Sequence, residues 1–84
     1  MSEENYIGKI SHYFSKIGVM IVELSDVLKI GDTIRIVGGE ETDFTQKVKS
    51  MEIDHSQYKK AKAGDSVGIK AEEKVREGYK VYRA

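Results

Sequence analysis

Leu28-Lys29-Ile30-Gly31-Asp32-Thr33-Ile34-Arg35-Ile36 is the stretch on which the fold reading turns. A glycine and an aspartate separate a short lead-in from an alternating segment in which Ile34 and Ile36 share one face. Glycine turns the chain because it accepts positive φ without a Cβ clash, and aspartate closes the turn through its side chain. The same order recurs at Ala61-Lys62-Ala63-Gly64-Asp65, ahead of Val67 and Ile69. A shorter version, Val75-Arg76-Glu77-Gly78-Tyr79, precedes Val81. A glycine turn followed by alternation is the signature of strands, not helices.

Working outward, Tyr6 to Phe14 reads as a first strand with Ile7 and Ile10 inward. Val19 to Leu24 follows, with Met20, Val22 and Leu24 on one face and Val19, Ile21 and Glu23 on the other. Thr33 to Val37 is the third. Phe44 to Ile53 is the longest, and its parity break between Val48 and Met51 predicts a β-bulge near Lys49-Ser50. Ser66 to Ala71 and Lys80 to Tyr82 complete the set, and Ser56 to Ala63 reads as a hairpin arm. Six or seven short strands with frequent turns predict an all-β fold. Closure into a small β-barrel would hide the edges that a tiny sheet exposes. We expect one domain over residues 1–84, with residues 1–5 outside its ordered part.

Composition narrows the function classes. The chain has 84 residues, and its 14 basic side chains balance 14 acidic ones. Zero net charge disfavours a generic nucleic-acid glue, so polyanion binding needs a local patch, and DNA is not expected as a partner. There is no cysteine, which excludes disulfides and thiolate metal sites and suits a reducing cytosol. No apolar run approaches the roughly 20 residues of a membrane-spanning helix, and Met1-Ser2-Glu3-Glu4-Asn5 does not read as a signal peptide. A cytoplasmic protein with no membrane association is expected. His12 and His55 lie in separate segments, so no metal site is expected, nor any cofactor. No serine can be placed beside a histidine and an aspartate, and Glu72-Glu73 are merely sequence neighbours, so no catalytic residue is assigned.

The segments quoted above resemble the second, β-barrel domain of translational GTPases, the family of elongation factor Tu and its archaeal counterpart. Leu28 to Ile36 is similar to that family's leucine–lysine–x–glycine–aspartate turn and strand. Val48-Lys49-Ser50-Met51-Glu52-Ile53-Asp54-His55 is similar to the strand that follows it. Ala61 to Gly68 resembles its second glycine–aspartate motif, and Val75-Arg76-Glu77-Gly78 its closing turn. The resemblance covers Ile7 to Val81. It implies a closed barrel of the translation-factor second-domain type. No Gly-x-x-x-x-Gly-Lys-Ser/Thr loop is present, so GTPase activity does not carry over.

The resemblance also implies a site for the 3′ end of aminoacyl-tRNA. Glu52 matches a glutamate assigned to the terminal ribose, a task that suits a carboxylate acceptor. His55 falls where the family has arginine, and Ser66 where it has asparagine. Tyr13, near the family's apolar platform, is a candidate to stack a base. From the residues themselves, Lys47, Lys49, Lys59, Lys60 and Lys62, with Tyr58 among them, form the densest basic region and a candidate phosphate-contacting patch. The bland alternative is a solvated lysine-rich hairpin guarding a sheet edge.

Two functions follow as expectations. The first is a non-catalytic RNA-binding module engaging tRNA or the ribosome. The second is a protein-interaction adaptor working with a separate translational GTPase, an RNA-modifying enzyme or another protein. Similar barrels also occur appended to peptidases of unrelated fold. An exposed apolar patch around Val19 and Ile21 would favour the second.

Overall fold

The computed structural model describes residues 5–39, 42–53 and 56–84. Its strands run in the order β1 (Asn5–Phe14), β2 (Val19–Leu24), β3 (Leu28–Lys29), β4 (Thr33–Gly38) and β5 (Thr42–Lys47). These are followed by β6 (Met51–Ile53), β7 (Ser56–Tyr58), β8 (Lys60–Ala61), β9 (Ser66–Lys70) and β10 (Lys80–Arg83). The fold is all-β, with no helix among the described residues.

Eight strands form one antiparallel sheet in the order β5-β4-β10-β1-β2-β9-β6-β7, and β3 pairs with β8 in a separate ladder. The expected closed barrel of six or seven strands is therefore corrected. The eight-stranded sheet is open, and ten strands in all are found among the described residues. It is nevertheless strongly curled. β5 and β9 stand first and sixth in the sheet, five steps of about 4.8 Å apart if it were flat, or about 24 Å. Yet the Gln46 amide on β5 donates to the Lys70 carbonyl at the end of β9 over 2.8 Å, and its oxygen accepts from the Glu72 amide at 2.9 Å. A buried side chain bridges the seam where a backbone ladder would have closed a barrel.

The long strand expected over Phe44 to Ile53 is divided, not bulged. At Val48 the backbone leaves the β4–β5 ladder. The Val48 amide donates to the Asp32 carbonyl and its carbonyl accepts from Gly31, both at 2.8 Å. The second glycine–aspartate turn makes the same exchange with Leu24. Gly64 donates to the Leu24 carbonyl, and Leu24 donates to the Asp65 carbonyl, each at 2.9 Å. Within each turn the aspartate carboxylate accepts from the lysine three residues back, Asp32 from the Lys29 amide and Asp65 from the Lys62 amide, both at 3.0 Å. Gly31 and Gly64 take φ of 97° and 95°, the left-handed region the reading required. The two turns flank the β3–β8 ladder. The expected hairpin arm over Ser56 to Ala63 is thereby shared out. β7 stays in the main sheet, while β8 crosses to β3.

One core fills the inside of the curl, including Ile7, Ile10, Ile34, Ile36, Val67 and Ile69. Ile7 and Ile10 lie three apart, which strict alternation would send to opposite faces. A register shift between Tyr6 and Gly8 against β10 inserts one residue and resets the parity, so both point inward. Gly8 is needed there, because a Cβ would stand 2.5 Å from the Glu23 carbonyl oxygen.

Candidate functional site

The outer face of β1, β2, β9 and β6 carries a groove of about 340 Å³. Its apolar wall comes from the β1–β2 hairpin. Phe14 and Val19 are cross-strand partners at its tip, and Ile21 is the next outward residue along β2. Ile17, in the turn between them, is 64% exposed and Phe14 45%. Val19 and Ile21 are half-buried. They occupy the outward positions of a strand whose other face, Met20, Val22 and Leu24, is in the core.

The floor is Gly68, opposite Ile21 on one side and Glu52 on the other. With no side chain at Gly68, the space between Ile21 and Glu52 stays open. Ser66 and Glu52 form the polar end. Glu52 is exposed, and its cross-strand neighbours are Gly68 and Gln57, neither charged. Among the described residues it has no ion-pair partner. Glu23, by contrast, stands directly opposite Lys9.

Phe14 is oriented from behind. The His12 ring meets it edge-on with centroids 4.4 Å apart, and His12 Nδ1 lies 2.9 Å from a Glu77 carboxylate oxygen. His12 and Phe14 are two residues apart on one strand and so share its outer face.

The sequence-derived candidates divide over the surface. Glu52 and Ser66 do meet, in this groove. Tyr13 does not join them. It packs against the core, and its neighbour Phe14 takes the outward position. Tyr58, Lys60 and Lys62 line a second cavity of about 390 Å³ with Asp65. Lys47 and Lys49 line a third, about 580 Å³, at the Gln46 seam with Lys70. Lys59 is exposed, and its carbonyl accepts from Ile30 at 3.0 Å. His55 lies outside the described residues. The single lysine patch thus resolves into two separate cavities. Ile17 and Gly68 were not among the candidates, whereas Val19 and Ile21 were named as an apolar patch that would favour a protein-binding role. The outward parity of Val19 and Ile21 on an apolar strand was the available signal for the groove.

No family model matches the chain. It is 43% identical over 76 residues to an uncharacterized protease of Methanocaldococcus jannaschii, covering 90% of this chain and 19% of the relative. It is 38% identical over 82 residues to a collagenase of Porphyromonas gingivalis, covering 96% of this chain and 23% of the relative. The chain therefore spans about a fifth of the length of the curated relatives it matches. Among solved structures it superposes on the C-terminal domain of a Geobacillus thermoleovorans protein described as a U32 peptidase. The TM-score is 0.89 at 17% identity, over 94% of this chain and 99% of that one.

These likenesses correct the translation-factor resemblance, and with it the expected RNA-binding module and the adaptor built on the same kinship. The quoted motifs are turn chemistry, a glycine at positive φ and an aspartate accepting from a backbone amide. Any β-fold that needs this tight exchange selects the same residues. In fold, the chain is the counterpart of that peptidase-associated C-terminal domain.

Proposed function

We propose that this chain is the accessory β-domain of a U32-type peptidase, holding polypeptide without cleaving it. The observation that carries the reading is the pattern of coverage. Nearly the whole chain matches about a fifth of an archaeal protease and of a bacterial collagenase. Its fold, meanwhile, is that of a domain solved apart from the remainder of a U32 peptidase. The apolar groove supports the holding role, since contiguous apolar surface on a sheet face marks a contact site. A cysteine-free chain suits the cytosol, where we place it.

The test uses the purified 84-residue chain with gelatin. Retention on immobilised gelatin without release of new peptide ends is expected. Hydrolysis that co-purifies with the chain would overturn the accessory role, and failure to be retained would overturn the holding role.

A further inference from the structure

We infer that the outer-face groove takes an arginine side chain of an extended polypeptide, an inference that rests on the polypeptide-holding reading above and names what is held. Three features converge. Phe14, 45% exposed, lines the groove, Val19 and Ile21 offer an aliphatic bed, and Glu52 closes the far end with a carboxylate lacking an ion-pair partner among the described residues. A guanidinium can stack on an aromatic ring while its planar fork meets a carboxylate, a pairing that a lysine ammonium cannot reproduce. The arginine stem would lie along Val19 and Ile21, as such stems do on apolar surface.

Charge complementarity selects the occupant. Among the described residues, Glu52 is the only ionisable side chain lining the groove. Lys70, opposite Val19, opens instead onto the basic cavity at the seam. An acidic segment would place its carboxylate against Glu52, whereas a neutral one would leave Glu52 desolvated without a partner. His12, held by Glu77, acts as a positioning residue for the Phe14 ring.

The experiment titrates isotope-labelled chain with the peptide Gly-Leu-Arg-Gly-Leu-amide and with versions carrying citrulline, lysine or glutamate at the central position. Amide shifts centred on Phe14, Ile21, Glu52 and Gly68 are expected with the arginine peptide. Citrulline in the peptide, or Glu52→Gln in the protein, should weaken binding about 10- to 100-fold, the worth of a charged hydrogen-bonded contact. The two changes together should weaken it little further. Lysine should bind more weakly than arginine. Equal binding of the glutamate peptide, indifference to Glu52→Gln, or shifts confined to Lys47, Lys49 and Lys70 would overturn the inference. So would concentration-dependent self-association through the same residues. Gelatin retention unchanged by Glu52→Gln would sink the arginine site and leave the accessory-domain reading standing. Hydrolysis by the pure chain would sink only the latter.

Discussion

Gly64 and Gly38 are constrained for opposite reasons. Gly64 sits at φ 95° with open space around the place a Cβ would occupy. Substitution there meets backbone strain alone. Gly64→Val should destabilise the domain by about 1–3 kcal/mol, which for a chain of this size lowers Tm by roughly 4–8 °C per kcal/mol. A wild-type melting curve would contradict this account of the turn. Gly38 lies under the Tyr79 ring, and a Cβ would stand 2.1 Å from a ring carbon. Gly38→Ala should therefore displace Tyr79 and shift its ring resonances, whereas Gly64→Val should leave them in place. At acid pH the Arg35–Asp43 pair matters. Two guanidinium nitrogens reach the carboxylate at 2.7 and 2.5 Å. The hydrogen bonding from Arg35, with its charge, holds the Asp43 carboxyl below its usual range against an opposing desolvation. A depressed folded-state pKa gives stability that is present above the ordinary carboxylate pKa and lost as pH falls through the lowered one. Asp43→Asn should flatten stability against pH in that acid window and leave the neutral region unchanged in slope. The glycine turns were legible in the sequence because each needs one backbone conformation and one side-chain acceptor. The choice between Tyr13 and Phe14 was not. A second register shift, between Ile10 and His12, decides which of two adjacent aromatics faces out, and no local pattern marks it.

At the scale of elements, the seam between β5 and the end of β9 rests on Gln46. It is 5% exposed and satisfies two backbone groups across the gap. Gln46→Ala would strand the Lys70 carbonyl and the Glu72 amide, at a cost of roughly 2–4 kcal/mol. Hydrogen exchange should quicken first at the Glu72 amide while the β1–β2 amides stay protected. Uniform loss of protection would mean that the seam is not a separate unit. Strands β4 and β9 were readable because their inward residues alternate and their glycine–aspartate lead-ins set the register. The short strands β3, β7 and β8 were not, because two or three residues carry no period, and their pairing comes from distant partners. Gln46 was illegible as a closure device for the same reason. A polar residue at an inward position looks like a fault in the pattern until the chain that passes behind it is known.

For the molecule as a whole, the number and spacing of turns sufficed to exclude helical architectures, but whether a sheet closes depends on how its first and last strands meet. Here the first and last strands, β5 and β7, do not pair, and one amide instead ties β5 to the end of β9, the sixth strand. The turn motifs also pointed to the wrong kin, because tight glycine–aspartate exchanges are demanded by geometry and recur wherever that geometry does. The proposed function draws on what the curl turns outward, a hairpin with apolar residues on its solvent side beside a carboxylate without an ion-pair partner among the described residues. The most direct measurement is the affinity of the chain for fluorescein-labelled gelatin peptides, before and after the groove is filled by Gly68→Leu. A Cβ at Gly68 meets no backbone clash, the nearest atom lying 3.4 Å away on Val19, and the remaining leucine atoms extend into the open groove. We predict at least a tenfold loss of affinity, roughly 1.4 kcal/mol, with an unaltered melting temperature. Equal binding by the filled and open chains would contradict the assignment of the groove.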